Sequence, residues 1–432
     1  MKSVSEIGRL VGSRLMERKD AAPLPSSSTR SSRNRSNQTK SSKIATLAAM
    51  AAMAAMFSLV ACTRDYNFSY VYAPSASLSS GLINAYGIDY QTGTLRLLQD
   101  SPIPSGGRNP IAIAATPDHK AIFVVNRDDS SIVQLSIGTD GKLYPEDTYN
   151  ATGSFPTGVA VSADGKFLYV SYTYQTGFTT ASPGPGGITT FAIKSDDSLS
   201  APLDLHIGRA PIAIATSASG NYVYVVAQDS AAVASGATQT SNLFAFQANA
   251  STGALTPLTG QTFNTGNVPS FGFPSGQTPA GIIGDSTASH LYITDSASNV
   301  VISYAVTNGI PTQIAGGTAA TGDQPRGMAI DPVSGSRLYV ANYTSGSISE
   351  YTFASNGAPV ISTTAANTLA GTGTTCVTIE PTRGIYLYAV GSLSNTMTGE
   401  EIVPADGSLK PIINSPYVAA TLPTCAVSVP RL

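Results

Sequence analysis

The 432-residue chain is divided by charge, because residues 1–61 carry ten Lys or Arg against three Asp or Glu while the remainder is acidic. An acidic globular part repels phosphate backbones, which argues against nucleic acid as a partner. Only 12% of the residues are charged, Trp is absent and Gly is abundant, which favours short strands and tight turns over long amphipathic helices.

The N-terminal segment has the build of an export signal. Residues 20–43 are rich in Ser, Arg and Lys and lack apolar periodicity, so we expect the basic n-region to be disordered. An uncharged apolar run of 18 residues, Ile44 to Ala61, follows this basic flank as it does in secretory signals. The alternative is an uncleaved signal-anchor helix, since 18 residues barely span a bilayer.

The apolar run ends in Leu59-Val60-Ala61-Cys62, which resembles the lipobox of bacterial lipoproteins. In that family the cysteine is lipidated and becomes the mature N-terminus. The resemblance implies lipid on Cys62, a membrane partner through this anchor, and a short linker over residues 62–67. It also implies a cell-envelope location, at the outer membrane or the periplasmic face.

A unit that recurs seven times occupies residues 68–432. Each copy opens with a residue, usually proline, that is followed by small and β-branched residues. The openings begin at Pro110, Pro156, Pro211, Pro279, Pro325, Thr374 and Pro423. These starts lie 46 to 68 residues apart, and a period in the forties with four strands per unit predicts a β-propeller.

Each unit continues with three further predicted strands. The second strand is a short Val-, Tyr- and Ile-rich run of the kind typical of buried strands. Its copies are FSYVYA (68–73), AIFVVN (121–126), FLYVSY (167–172), YVYVVA (222–227), LYITD (291–295), LYVAN (338–342) and IYLYAV (385–390). A third, alternating strand follows, except that Glu400 and Glu401 interrupt the alternation in blade seven. A turn, usually at Gly, then opens the fourth strand.

The ends of the chain complement each other. The first repeat lacks an opening strand, and the last opening strand, over residues 423–429, has almost nothing after it. One C-terminal and three N-terminal strands therefore make one blade, and closing the ring leaves no unpaired edge. The sequence predicts an all-β, seven-bladed propeller with four strands per blade.

The repeat, notably residues 241–260 and 156–170, resembles the seven-bladed propeller lactonases and the YVTN-repeat surface propellers. The resemblance covers about residues 68–429. It implies a propeller fold and, as one activity, lactone hydrolysis of the 6-phosphogluconolactonase type. The matched residues are scaffold turns and strands, and one fold hosts many functions.

In such a propeller the opening strand lies nearest the central channel. The loops that lead into it and the loops between second and third strands share one side of the ring, which we call the mouth face. Four longer segments fall there, at residues 172–187, 228–241, 263–278 and 391–398, and insertions on one face mark a binding side. The candidate ligand-binding residues are Arg108, Asn109, Arg209, Arg326, Asn126, Asp128, Asp295 and Asn342.

The three arginines of that set could together hold a carboxylate or another small anion. The alternative is that they pair with Asp or with loop carbonyls of adjacent blades. No cofactor or metal motif occurs, and a calcium site at the Asp128-Asp129 pair is weaker than a solvated turn.

Catalytic candidates are few because the chain has three histidines. His206 is expected near the channel, or alternatively in an exposed loop, whereas His119 and His290 are expected to be solvated on the opposite face. The His–Glu–Arg arrangement of the lactonases cannot be carried over residue by residue. A lactonase would therefore need Asp or Glu as its base, and Glu400 and Glu401 are the unusually placed carboxylates.

Two functions remain open from the sequence. The first is a non-catalytic, lipid-anchored envelope propeller that binds a protein, a glycan or a small anionic ligand through the mouth face. The second is a lactone hydrolase. A propeller without any Trp does not fit the quinone-dependent dehydrogenases, whose blades carry tryptophan motifs.

Cys376 and Cys425 both stand two residues after a repeat start, in a slot that small residues hold elsewhere. Those residues are Ala112, Gly158, Ala213, Gly281 and Gly327. Blade seven and the closing blade are neighbours in the ring, and export permits disulfides. The sequence predicts a Cys376–Cys425 disulfide that holds the closing strand.

Overall fold

The computed structural model describes residues 67–228, 241–258, 272–362 and 368–432. These residues form strands joined by turns. No helix in this part of the chain is long and apolar enough to cross a membrane. The predicted lipid attachment at Cys62, its signal segment and most of two predicted insertions lie outside the described residues.

The strands follow one another in seven groups along the chain. Blade one holds β1 (Asn67–Ser75), β2 (Leu82–Asp89), β3 (Leu95–Leu97) and β4 (Ile103–Pro104). Blade two holds β5 (Pro110–Ala115), β6 (Ala121–Asn126), β7 (Ser131–Ile137) and β8 (Leu143–Asn150). Blade three holds β9 (Ser154–Val161), β10 (Phe167–Tyr174), β11 (Pro185–Ala192) and β12 (Leu203–Arg209). Blade four holds β13 (Pro211–Thr216), β14 (Tyr222–Gln228), β15 (Ser241–Ala248), β16 (Leu255–Pro257) and β17 (Phe273–Pro274).

The remaining groups repeat this order. Blade five holds β18 (Pro279–Gly284), β19 (His290–Asp295), β20 (Val300–Thr307) and β21 (Ile310–Ala320). Blade six holds β22 (Pro325–Ile330), β23 (Arg337–Asn342), β24 (Ser347–Phe353), β25 (Pro359–Ile361) and β26 (Thr368–Leu369). Blade seven holds β27 (Thr374–Ile379), β28 (Tyr386–Gly391), β29 (Thr396–Ile402), β30 (Leu409–Pro411) and β31 (Tyr417–Val418). The chain ends in β32 (Val427–Pro430).

Each group forms one antiparallel sheet whose strands pair in sequence order, which confirms seven blades of four main strands. Closure also follows the prediction, because β32 pairs with β1 in the register Tyr70↔Val429 and so completes blade one. The closing strand is shorter than expected. Pro423 makes only an isolated bridge to Ser75, and Thr424 bonds Pro74 instead of continuing the ladder.

The core consists of layers between blades. Each of the seven buried clusters among the described residues draws its side chains from two adjacent blades. The second strands supply most of the large side chains and are buried on both faces, which explains their continuous apolar sequences. The third strand of blade seven forms despite its two glutamates, and the side chain of Glu400 is buried.

Tyrosine hydroxyls join consecutive blades. In five blades a Tyr in the second strand of the repeat donates a hydrogen bond from its hydroxyl to a glycine carbonyl in the next blade. That glycine lies in the turn between the third and fourth strands of that next blade. The pairs are Tyr72–Gly141, Tyr224–Gly309, Tyr292–Gly357, Tyr339–Gly407 and Tyr388–Gly93. Gly407 has φ +83°, and a Cβ there would collide with Glu350 and Arg337. The turn therefore requires glycine for its backbone and for the contact with blade six.

Candidate functional site

The first strands of blades two to seven and the segment that leads into β32 face the centre of the ring, and residues from most of them surround a cavity of about 550 Å³. This is the size of many small-molecule sites. Its lining side chains are mostly apolar or small. The cavity is lined by Ile111, Ala112, Ile113, Thr157, Gly158, Val159, Ile212, Ala213, Ile214, Ala280, Gly281, Ile282, Arg326, Gly327, Met328, Tyr343, Thr375, Cys376, Ser392, Leu422, Pro423, Thr424 and Cys425.

The predicted slot for small residues lies in this wall. A β-bulge follows the opening residue in most inner strands, for example between Pro279 and Gly281, and brings the slot against the next blade. A Cβ on Gly281 would lie 2.5 Å from the carbonyl oxygen of Arg326. One on Gly327 would lie 2.9 Å from the carbonyl oxygen of Thr375. Crowding by the neighbouring backbone is therefore the reason for small residues here.

The predicted disulfide is confirmed. Cys376 and Cys425 are bonded, with Cα atoms 5.1 Å apart, inside the range that a bridge requires. The bond joins the inner strand of blade seven to the segment that precedes β32. Both cysteines line the cavity.

Arg326 is the charged side chain among the described residues that line the cavity. It is the second residue of β22, and its guanidinium carbon lies 3.6 Å from the centre of the Tyr343 ring. Half-burial lowers the pKa of this guanidinium, although the group stays protonated near neutral pH. Its N–H groups make no hydrogen bond or ion pair with the described residues. The wall thus presents a cation with unused donors.

A side cleft of about 380 Å³ opens from the cavity at the same arginine. Besides Arg326 it shares Ile212 and Ala280 with the cavity, and Gln228 and Gln324 add polar groups. A guanidinium at the junction of two spaces can contact a ligand in either of them. This placement marks Arg326 as the centre of the candidate site.

The other two predicted arginines do not join Arg326. Arg108 donates from Nε to Asp129 at 2.7 Å, and the same carboxylate accepts its main-chain N–H at 2.7 Å. These hydrogen bonds hold the pKa of Asp129 below its usual value. Arg209 is half-buried at the end of β12, the outermost strand of blade three. Arg108 therefore follows the alternative of an ion pair, and neither Arg108 nor Arg209 lines the cavity with Arg326.

The predicted polar residues of the mouth face mostly support loops. Asn126 bonds Ser105, and Asn342 bonds two serines on its own blade. Asp295 is buried and accepts from the main-chain N–H groups of Gln277 and Thr278. None of these side chains lines the cavity.

Asn109 and Asp128 meet each other at the rim, where the Asn109 amide donates to the Asp128 carboxylate at 3.3 Å. In the described part of the chain no group of three His, Cys, Asp or Glu side chains could hold a metal ion. The pair lies between the same two segments that Asp129 and Arg108 join.

The histidines follow the sequence only in part. His206 was expected near the channel or, alternatively, in an exposed loop; it is exposed, as the alternative predicted, but it lies on the outermost strand β12 and pairs with Asp204 at 3.0 Å. The reason is that its segment completes blade three before the chain turns inward to β13. His119 and His290 are half-buried instead of solvated, and His290 pairs with Asp285 at 2.9 Å.

Neither glutamate candidate reaches the cavity. Glu401 is exposed on the side of blade seven, whereas the side chain of Glu400 is 1% exposed. Glu400 pairs in register with Leu387, whose side chain packs against blade six, so by the pleat of the sheet Glu400 faces blade six as well. Burial raises its pKa to about 7. It is a buried acid between two blades, remote from the lining.

Sequence reasoning missed Tyr343, the aromatic partner of Arg326. A signal for it exists, because Tyr343 directly follows the second strand of the blade in which Arg326 follows the opening proline. Both positions lie on the mouth face of one blade. An arginine and a tyrosine in these positions predict a stacked pair, which the repeat alignment alone could have flagged.

The arrangement can bind an anion or a developing oxyanion. A guanidinium offers planar, paired N–H donors, and half-burial strengthens their interaction with negative charge. The apolar wall opposite can hold the rest of a ligand. None of the described lining residues is an Asp, Glu or His that could act as a general base.

The sequence matches the family described as lactonase, 7-bladed beta-propeller, over residues 142–258 and 239–379, more than half of the chain. No curated protein matches the sequence.

Solved structures resemble this one closely in fold. A putative 6-phosphogluconolactonase from Bacteroides fragilis has a TM-score of 0.67 and 19% identity, over 85% of this chain and 99% of that chain. A second one, from Bacteroides uniformis, has a TM-score of 0.66 and 17% identity, over 84% and 100%. The periplasmic gluconolactonase of Pseudomonas aeruginosa has a TM-score of 0.65 and 18% identity, over 84% and 99%. At these identities the likeness is one of fold.

Proposed function

Because the chain belongs to the seven-bladed β-propeller lactonase family, we propose that it hydrolyses a lactone in the central cavity. The observation that carries this proposal is Arg326, a half-buried guanidinium in the cavity wall whose N–H groups have no partner among the described residues. Of the two functions that the sequence left open, family membership favours the hydrolase.

The reaction explains what Arg326 would do. Water adds to the lactone carbonyl carbon, the carbonyl oxygen becomes an oxyanion, and the bond to the ring oxygen then breaks. One proton of the attacking water passes through solvent to the ring oxygen, and the other stays on the new carboxylic acid and is released to solvent near neutral pH. Arg326 donates hydrogen bonds to the oxyanion and afterwards to the carboxylate, and stabilising the charge that develops lowers the barrier. Tyr343 positions the guanidinium by stacking under it.

The test measures acid release from δ-lactones at constant pH, with spontaneous hydrolysis subtracted. Arg326→Gln removes the cation while keeping a polar side chain. A charge-assisted hydrogen bond contributes about 1.5–3 kcal/mol, so its loss in the transition state is expected to lower kcat/KM by about 10- to 100-fold. Arg108→Gln is the matched control, because Arg108 is committed to Asp129, and it is expected to retain activity. No acceleration by the unaltered protein with any lactone contradicts the proposal.

A second candidate function is non-catalytic binding of a small anion. It is favoured by the absence of Asp, Glu and His from the described lining residues, since hydrolysis then lacks an evident base. The two functions separate in one experiment. Calorimetric binding of a hydroxy acid that depends on Arg326, without acceleration of the corresponding lactone, selects the binding function.

We propose in addition that the protein is exported and held at the cell envelope by lipid on Cys62. The support is the lipobox-like sequence that ends the apolar run. Cys62→Ala is expected to abolish fatty-acid labelling and membrane retention. Cys425→Ala is the control and keeps the label, because Cys425 is occupied in the disulfide. Equal membrane association of both variants without any label would contradict lipidation.

A further inference from the structure

The charge of the cavity limits the charge of its ligand. Arg326 is the one cation in the described lining, and segments 229–240, 259–271 and 363–367 contain no Lys or Arg. Of the other two arginines predicted for this face, Arg108 is neutralised by Asp129 at 2.6 Å, and Arg209 is not among the described residues that line the cavity. A phosphate monoester carries a charge of about −1.5 to −2 at pH 7, whereas a carboxylate carries a single negative charge. A single guanidinium therefore matches a monoanion.

The hydroxyl groups of the wall are largely committed to the protein itself. Thr375 donates to the carbonyl oxygen of Val390 at 3.4 Å, and Thr424 donates to that of Pro110 at 3.0 Å. Ser392 donates to the carbonyl oxygen of Gly373 at 2.9 Å. A sugar lactone buries a hydroxyl on nearly every ring carbon, and each one left without a partner weakens binding. The wall offers few side-chain donors for such a ring.

Much of the side-chain surface of the wall is hydrocarbon, beside the hydroxyl groups of its Ser, Thr and Tyr residues. Five isoleucines and Met328 line it, at positions 111, 113, 212, 214 and 282. At the mouth, Leu422 is 44% exposed although it lines the cavity, and Leu393 in the neighbouring loop is 57% exposed. Asn395 holds the two together, because its side-chain oxygen accepts the main-chain N–H of Leu422 at 2.8 Å. Apolar surface thus continues from the cavity to the rim.

We infer that the cavity selects a lactone with a hydrocarbon substituent, whose opened form is a monoanionic hydroxy acid, in preference to a sugar-phosphate lactone. The lactone carbonyl lies against Arg326 and the alkyl chain lies along the isoleucines. This inference rests on the proposed function, since it specifies the substrate class of the same site.

The test compares δ-lactones of one ring size. In the series from δ-valerolactone to δ-nonalactone each added methylene is expected to lower KM by about fourfold, as burial of hydrocarbon requires. Glucono-δ-lactone and its 6-phosphate are expected to have kcat/KM values at least tenfold below that of δ-nonalactone. A KM that does not change with chain length, or preference for the phosphorylated lactone, overturns the inference while leaving lactone hydrolysis intact.

Binding separates this inference from the proposed function. If no lactone is hydrolysed, calorimetry with 5-hydroxynonanoate and 6-phosphogluconate still decides, because tighter binding of 5-hydroxynonanoate supports the apolar site. Tighter binding of 6-phosphogluconate, or binding of neither acid, overturns it.

A charge-adding variant sharpens the result. Met328 lies two residues from Arg326 in the same wall, so Met328→Lys adds a second cation beside it. It is expected to increase binding of 6-phosphogluconate at least tenfold and to weaken that of 5-hydroxynonanoate. Met328→Leu is the size-matched control and keeps the original order. Circular dichroism and melting confirm that both variants fold. If the folded Met328→Lys variant does not gain phosphate binding, the charge argument is wrong.

Discussion

Two neighbouring interfaces of the ring differ in how their polar groups are satisfied. The interface of blades seven and one, which we call the closing seam, holds the Cys376–Cys425 disulfide in addition to a tyrosine–glycine hydrogen bond of the kind that both interfaces have, here from Tyr388 to Gly93. The interface of blades six and seven, which we call the carboxylate seam, buries Glu350 and Glu400 with carboxylate oxygens that lack a hydrogen-bond partner among the described residues.

Chain connectivity explains the difference. At the closing seam the chain passes from blade seven only into the short closing strand β32, and β32 is joined to β1 of blade one by strand pairing and not by continuous chain. At the carboxylate seam the chain itself passes from one blade to the next. Covalent linkage already limits separation there, so the seam tolerates buried acids that would weaken a join between chain ends. Extra bonds are concentrated where connectivity is lacking.

Removing the disulfide gives the largest expected effect on this comparison. Cys376→Ala with Cys425→Ala places in both slots a residue that Ala112 and Ala213 show to fit. Because the bridge spans 49 residues, its loss is expected to lower the free energy of unfolding by about 3–4 kcal/mol. Denaturant unfolding measures this. The unaltered protein in reductant serves as the control and should unfold like the variant. Equal stability of oxidised protein and variant contradicts the role of the closing seam.

Neutralising Glu400 tests the other seam. Its folded-state pKa of about 7 lies above the ordinary value of 4.5, so the folded state binds the proton more tightly than the unfolded chain. The favourable contribution of this group is therefore complete below pH 4.5 and is lost as pH rises to 7. Glu400→Gln removes the burial of a charge and is expected to raise the free energy of unfolding by about 2 kcal/mol at pH 8.

The pH dependence provides the check on that prediction. Near pH 5 the variant and the unaltered protein should differ little, because Glu400 is then protonated in the folded state. Glu401→Gln is the control, since the adjacent carboxylate is exposed. Glu350 is a less clean target because Arg337 lies 4.0 Å from it and would lose its partner. A Glu400→Gln variant that is less stable at pH 8 would show that the carboxylate has a stabilising partner.

Removing single tyrosine hydroxyls compares a blade interface in which the hydroxyl is hydrogen-bonded with one in which it is not. Tyr388→Phe deletes a 2.7 Å bond to the Gly93 carbonyl and leaves that buried carbonyl without it. We expect a loss of about 1–1.5 kcal/mol in the free energy of unfolding. Tyr169→Phe deletes a buried hydroxyl that has no partner among the described residues, so stability should stay equal or rise. Equal losses in both variants would show that ring packing, not the hydroxyl bond, dominates.

The repeat pattern was sufficient to predict the fold, but it predicted the candidate site only in part. Blade number, closure and the disulfide follow from spacing, because each depends on where one strand stands in its repeat. Arg108 and Arg326 occupy similar places beside an opening proline, yet only Arg108 has Asp129 in the facing loop. Whether an arginine is available to bind a ligand depends on whether a facing loop supplies an acidic partner. The position of His206 on β12 was not predicted for a related reason. The number of residues between a side chain and an opening proline does not show which strand that side chain belongs to.

The smallest expected effect on stability comes from the contacts of Arg383 with aromatic rings at the closing seam. Arg383 in blade seven lies over the ring of Tyr90 at 4.8 Å and within 5.9 Å of Phe68 and Tyr386, and it donates to the carbonyl oxygen of Tyr90 at 2.8 Å. A lysine keeps the charge but loses the planar contact with several rings. Arg383→Lys is expected to lower the free energy of unfolding by about 0.5–1 kcal/mol.

The control for this substitution is Arg127→Lys, because Arg127 contacts a single ring, that of Phe155, at 5.4 Å within the continuous part of the ring. Its effect is expected to be smaller than that of Arg383→Lys. In the protein without the disulfide, the Arg383→Lys loss should grow, since the side-chain contacts then hold the chain ends without a covalent bond. If the two lysine variants lose equal stability and the disulfide makes no difference, Arg383 does not contribute to ring closure beyond an ordinary surface contact.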